Sequence, residues 1–360
     1  MWEEHPVKRY ILTVLLCAGL AASAMPGVAQ SALMNLPRPS QHAMLTQRVG
    51  ITDISVNYSR PLVNGRKIWG GLVPYGQVWR AGANENTTVQ FADAVTIEGQ
   101  ALPKGIYGLH MIPNENEWTV IFSKVYTAWG SFTYKQDEDA LRVNVKPQAT
   151  DMHEALTYDF DEVKPDGAML TLRWEKVAVP VHIGVDTHEI VAENLRKQLR
   201  GIQQYTWEGW DDSANYLLAE KYDYEDALKY ADNSIQVEER YENLMSKSQA
   251  LDGLGKKDEA EAAKKQALAR ANVIQLHTYA RGLLAQGKQA EAFEIFKENA
   301  RKNPDNWVAH VGLCRMYSAQ GKFDDADKEL KVAMNQAPDP QKPQLEALAK
   351  RLDAKQDINK

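Results

Sequence analysis

The side chains best able to do chemistry gather between Tyr58 and Glu85. Arg60, Arg66, Arg80, Asn84 and Glu85 are interleaved there with Trp69, Tyr75 and Trp79, and Trp129 follows in a second aromatic stretch. Guanidinium forks grip carboxylates and phosphates bidentately. Indole and phenol faces stack on sugar rings or apolar groups. Gathered on one cleft, these residues would suit a sugar, an acidic glycan or a peptide terminus. Acid–base chemistry would need Glu85 half-buried, with its carboxyl raised toward neutrality. A purely structural use competes: Arg80 and Glu85 could pair and peg a long loop, with Trp79 in a core.

Other chemistry has less support. His42, His110, His153, His182 and His188 are scattered without ligand spacing, so no metal and no cofactor is expected. His110 alternates with core positions and reads as a surface residue of a strand. No nucleophile elbow, phosphate loop or zincin motif occurs. Asp159 and Asp161 share one side of a strand, as solvated residues do. The net charge of −6 argues against a general nucleic-acid binder.

The elements that must position these groups follow from periodicity. Ile54, Val56 and Tyr58 alternate with polar neighbours, as do Tyr107, Leu109 and Met111, Leu141, Val143 and Val145, and Leu170, Leu172 and Trp174. Period-two alternation buries one face of a strand and wets the other. Asn64-Gly65, Gly70-Gly71, Pro103-Lys104-Gly105 and Pro165-Asp166-Gly167 supply turns between the runs. Many short strands with regular turns predict an all-β sandwich over residues 30–185.

At Asp186 the period changes. Asp186 with Glu189 three residues on reads as a capping box opening a linking helix over 186–208. Beyond it Gly255, Gly287 and Gly321 recur at spacings of 32 and 34 residues, each followed five residues later by Ala260, Ala292 or Ala326. Leu251, Leu283 and Tyr317 stand nine residues before those alanines, and Pro304 and Pro338 stand twelve after the last two. A weaker copy centres on Ala227, with Tyr222 in the glycine's place. Glycine at a turn, alanine where helices touch and proline ending the unit match the tetratricopeptide pattern. About four hairpins are expected over 209–340, then a capping helix and a charged tail that frays over 341–360. Such arrays hold an extended peptide or a helix in a groove, and the repeat register nominates Asn215, Lys247, Tyr279 and His310 as groove residues. Cys314 occupies a small-residue position and reads as helix packing.

The N-terminus carries Lys8 and Arg9, then a nearly apolar run from Tyr10 to Ala22, then small residues. This reads as a signal peptide over 1–29, cleaved after Ala29. Its removal takes Cys17 and leaves Cys314 alone, so no internal disulfide is expected. No other run is long enough to span a membrane.

The string Tyr75-Gly76-Gln77-Val78-Trp79-Arg80-Ala81-Gly82-Ala83-Asn84-Glu85, with Glu117-Trp118-Thr119-Val120-Ile121-Phe122 and Trp129-Gly130, resembles the bacterial family known as domain of unknown function 2911. The resemblance spans roughly Pro37 to Ile183. It implies export, in some members with helical repeats behind the domain, and it carries no activity. The expectation is therefore an exported, non-catalytic interaction protein of the bacterial envelope, periplasmic or extracellular. Its repeats would engage a peptide or protein, and its β-domain a small-molecule or glycan ligand. The alternative is an envelope hydrolase acting on glycan or peptide around Arg60, Arg80 and Glu85.

Overall fold

The computed structural model describes residues 37–360. The segment read as a signal peptide lies outside the described residues. The chain divides into two compact units that meet between Val185 and Asp186.

The first unit is antiparallel. Its strands are β1 (Gln41–Val49), β2 (Thr52–Arg60), β3 (Thr88–Phe91), β4 (Val95–Ile97), β5 (Gln100–Leu102), β6 (Gly105–Ile112), β7 (Trp118–Ser123), β8 (Asp139–Val145), β9 (Gln148–Lys164) and β10 (Gly167–Gly184). They form a six-stranded sheet ordered β1-β2-β3-β6-β7-β8 and a four-stranded sheet ordered β5-β4-β10-β9. The alternation in β2 is realised, with Ile54, Val56 and Tyr58 buried. The two sheets share one core. Tyr58 of β2 meets Tyr158 of β9 edge to face at 4.8 Å, and its hydroxyl accepts from the Tyr158 amide at 3.1 Å.

The long β2–β3 connection is packed down rather than loose. Trp69 stands edge-on to Trp118 of β7 at 4.7 Å and to Trp174 of β10 at 5.6 Å. Trp79 stacks on Trp174 at 5.9 Å. Trp79 also exchanges two backbone hydrogen bonds of 2.8 Å with Met111, continuing the path of β3 along β6. The connection then turns at Ala81, a non-glycine residue with φ of 51°. That strained conformation is held because the Ala81 carbonyl accepts from the buried Tyr158 hydroxyl at 2.8 Å and from Thr87 Oγ1 at 3.2 Å.

The second unit contains, among the described residues, α1 (Thr187–Gln198), α2 (Trp207–Ala219), α3 (Tyr224–Val237), α4 (Tyr241–Gly253), α5 (Lys257–Arg270), α6 (Val273–Ala285), α7 (Gln289–Lys302), α8 (Trp307–Ala319), α9 (Phe323–Gln336) and α10 (Lys342–Asp353). Helices α2 to α9 form four hairpins. Ala227, Ala260, Ala292 and Ala326 are buried where paired helices touch. Only a methyl group fits between helices that approach this closely. None of the described helices is long and apolar enough to cross a membrane.

Three details differ from the expectations. Asp186 does cap α1, accepting from the Glu189 amide at 3.2 Å, but Glu189 does not reciprocate. Its carboxylate takes the Tyr222 hydroxyl at 2.7 Å and Arg196 at 3.3 Å. Helix α1 is more than a link, because Ala192 and Leu199 join the buried cluster of Ala214, Leu217, Ala227 and Tyr230. The segment after α10 does not fray. Ile358 is buried against Val311 and Cys314, and its amide donates to Ser318 Oγ at 3.0 Å.

Candidate functional site

The β-unit holds an open cleft of about 1010 Å³ lined by the start of β1, the end of β2, residues 84–88 and residues 126–129. Its chemistry is mostly amide and hydroxyl. Glu85 and Arg38 form an ion pair across it, and the Arg38 guanidinium lies 5.7 Å over the Trp129 ring. Burial alone would raise the Glu85 carboxyl. Hydrogen bonds, including the one from Arg38, and the Arg38 charge outweigh it, so the carboxyl lies below its ordinary value.

The loop that presents Tyr126 and Trp129 is anchored at both ends by side chains buried on the six-stranded sheet. Asn86 crosses over Gly108 and donates to the Val125 carbonyl at 3.4 Å. A Cβ on Gly108 would lie 2.4 Å from Asn86 Nδ2 and 2.5 Å from that carbonyl, so glycine is required there. At the other end His110 Nδ1 sits 2.9 Å from Ser131 Oγ, with the Tyr134 ring 5.3 Å from the imidazole.

His110 corrects the surface reading: it is 2% exposed. Period-two logic assigns its face of β6 to water, but the loop from 125 to 134 covers that face. Burial pulls the imidazole down from 6.5 to about 4, with the Asp139 charge opposing. A histidine neutral when folded and protonated when unfolded contributes stability above pH 6.5, and this is lost as pH falls toward 4. The loss amounts to roughly 3 kcal/mol. Urea unfolding at pH 7 and pH 4.5 should show it in the β-unit, and His110→Gln should abolish that part of the difference. An unchanged difference in the variant would remove His110 as the cause.

The structure brings Asn84, Glu85 and Trp129 into the cleft and leaves the other candidates out. Asn84, in a left-handed conformation with φ of 59°, donates to the Ser40 carbonyl at 3.2 Å. Arg60 instead pegs β2 to β9, donating to the Leu156 carbonyl and to Thr157 Oγ1, each at 3.0 Å. Arg66 closes its own loop onto the carbonyls of Leu62 and Val63. Trp69 and Trp79 belong to the tryptophan cluster, and Tyr75 packs over Gly70. Arg80 does not pair with Glu85. Its Nε is buried without a partner, one terminal nitrogen lies beside Gly130, and burial lowers its basicity. Sequence reasoning missed Arg38, His42, Asn57, Asn86 and Tyr126. They come from four separate segments with no common spacing.

In the repeats, the turn hydrogen bonds define the register. Gly255, Gly287 and Gly321 take left-handed conformations, and in the first hairpin the same place is held by Lys221 with φ of 52° rather than by Tyr222. The amides of Lys221, Gly255, Gly287 and Gly321 make equivalent bonds to Leu218, Asp252, Leu284 and Ser318. An extra residue, Asp223, follows in the first hairpin and caps α3 through the Asp226 amide at 3.0 Å.

In this register the counterparts of Asn215 are Gln249, Arg281 and Arg315. The sequence-based row of Asn215, Lys247, Tyr279 and His310 is out of phase. Lys247 pairs with Asp232 at 2.7 Å. Tyr279 packs against the cluster of Ala280, Leu283 and Phe296. His310 spends both ring nitrogens internally, on Glu329 at 2.6 Å and the Pro304 carbonyl at 2.8 Å. Asn215, Gln249 and Arg281 are exposed. Arg315 is half-covered by the segment after α10, donating to the Ile358 carbonyl at 3.2 Å. Burial and the neighbouring Arg281 and Arg351 charges lower Arg315, against Asp357. Cys314, turned the other way, is buried among helices, and its thiol is pushed up to about 12.

The two units thus define a β-sandwich followed by stacked helical hairpins. Residues 40–183 match the family described as a protein of unknown function (DUF2911). Residues 283–352 match the tetratricopeptide repeat. No curated protein matches the chain. Among solved structures, a similar chain is that of YrrB, described as a TPR protein with an unusual peptide-binding site. It is 16% identical, with 45% of this chain and 84% of that chain covered, at a TM-score of 0.28.

Proposed function

We propose that this is an exported, non-catalytic interaction protein of the bacterial envelope, whose repeats hold a peptide or protein segment and whose β-unit holds a small ligand. The observation that carries the reading is the in-register row Asn215, Gln249, Arg281 and Arg315 on successive hairpins. Stacked hairpins present such a row as one continuous surface, suited to an extended chain. The row ends in cations. Arg281 makes no ion pair among the described residues, and Arg315 and Arg351 lie near enough for their charges to be felt together. Clustered like charges favour an anionic partner, so the preferred segment is acidic. Export rests on the signal-like N-terminus.

Hydrolysis at Glu85 fits the geometry less well. A carboxyl held ionised by Arg38 is a poor general acid at neutral pH.

The test is fluorescence anisotropy with labelled 12-residue peptides rich in Asp and Glu, and with Lys and Arg counterparts. Acidic peptides should bind tighter, more weakly in high salt, and at least tenfold more weakly to Arg281→Glu. Equal binding of both peptide sets, or an Arg281→Glu variant that binds like the parent, would overturn the acidic-partner reading.

A further inference from the structure

We infer that the cleft of the β-unit is a binding site for a neutral carbohydrate; this deepens the small-ligand part of the reading above. The first support is a cleft wall held in place by a buried side chain. Asn86 lines the cleft, is 7% exposed, and its Oδ1 has no hydrogen-bond partner. Its amide nitrogen is fixed on Val125, so the oxygen cannot be turned away without losing that bond. The oxygen itself is covered, so Asn86 serves the cleft by holding the loop that carries Tyr126 and Trp129.

The second support is the aromatic wall. Trp129 is 53% exposed although it belongs to an anchored loop, and Tyr126 beside it is 42% exposed. Large rings held out toward a polar cleft offer flat apolar surface for the C–H face of a pyranose. Arg38 lies over the Trp129 ring and limits stacking to what that contact leaves open.

The third is charge. Glu85 neutralises Arg38 within the cleft, and His42 is engaged by Asn57. Asn84, Ser59 and Thr88 supply further neutral donors and acceptors. Among the described residues, Arg38 is the one guanidinium lining the cleft and is already paired, so a phosphate or carboxylate would have to compete with Glu85 for it. Polar groups that cancel in charge, next to an aromatic face, suit a polyhydroxylated neutral ligand.

The test is tryptophan fluorescence titration of the full chain with cellotetraose, maltotetraose, xylotetraose and chitotetraose, with tetragalacturonate and a set of dipeptides as comparators. At least one neutral tetrasaccharide should bind, at least tenfold more weakly to Trp129→Ala read by calorimetry. Asn86→Ala should weaken it similarly, and the exposed Trp129 keeps the first variant free of a folding objection. Trp129-dependent binding of only the galacturonate or the dipeptides would overturn the neutral-sugar inference and leave a ligand cleft standing. No binding of any probe would sink both, whatever the repeats do with peptides.

Discussion

Trp174→Ala is expected to lower the thermal midpoint of the β-unit by roughly 10 °C. Trp174 is 1% exposed on β10. It touches Trp69 at 5.6 Å and stacks on Trp79 at 5.9 Å with an interplanar angle of 19°, while Trp69 reaches Trp118 on the other sheet. One ring therefore ties the four-stranded sheet to the β2–β3 connection, and through it to the six-stranded sheet. Removing a buried tryptophan costs about 3–5 kcal/mol, and each kcal/mol shifts the midpoint of a domain this size by about 2–4 °C. Trp174→Phe should cost far less, because Trp174 Nε1 is buried without a partner and an unmet donor costs about 1–3 kcal/mol. Differential scanning calorimetry of the three chains decides this. A Trp174→Ala midpoint within 3 °C of the parent would mean that the cluster is not the keystone of this core.

Phe296→Ala should act as strongly on the repeats, and in a different manner. Phe296 is fully buried among Ala280, Leu283, Ala292 and Met316, and so joins α6, α7 and α8. Its ring fills the space over Gly312, where a Cβ would lie 2.6 Å from Phe296 Cδ1, and lies 5.6 Å from the His277 ring. The loss is again about 3–5 kcal/mol. An array of hairpins is held by contacts between neighbours, so a hole at one junction should uncouple the last hairpin and α10 from those before it. Urea unfolding followed by helical circular dichroism should turn biphasic or show a lower slope. A single transition of unchanged slope and midpoint would contradict the junction role.

Much of this architecture was legible in the residues. Alternation in β2 and the fixed spacing of glycine and alanine in the hairpins are local, and local geometry is what periodicity reports. The phase of the repeats was less legible. Counting back from Ala227 points to Tyr222, whereas the turn is made at Lys221, because Asp223 adds a residue only after the turn. At 100° per residue such slips carry a nominated groove residue to another helix face. The nominated residues were also set at unequal distances from their turns: Asn215 stands six residues before Lys221, Lys247 and Tyr279 eight before Gly255 and Gly287, and His310 eleven before Gly321, so they do not share one face.

The candidate cleft was decided almost wholly by tertiary structure. The motif from Tyr75 to Glu85 draws attention to Arg80 and Trp79, yet Trp79 stacks on Trp174, Arg80 stays apart from Glu85, and only Asn84 and Glu85 reach the cleft. Glu85 finds its cation in Arg38, 47 residues away. Asn86 and His110 gain their roles because a loop from 125 to 134 folds over a sheet face that alternation assigns to water. The sequence by itself determined the strands, the hairpins and the point between them where the period changes, since each depends on neighbours a few residues apart. Which charges pair, which polar atoms stay unmet and which rings face outward was decided only by the fold, because those properties belong to segments that meet only when both sheets have closed on one core.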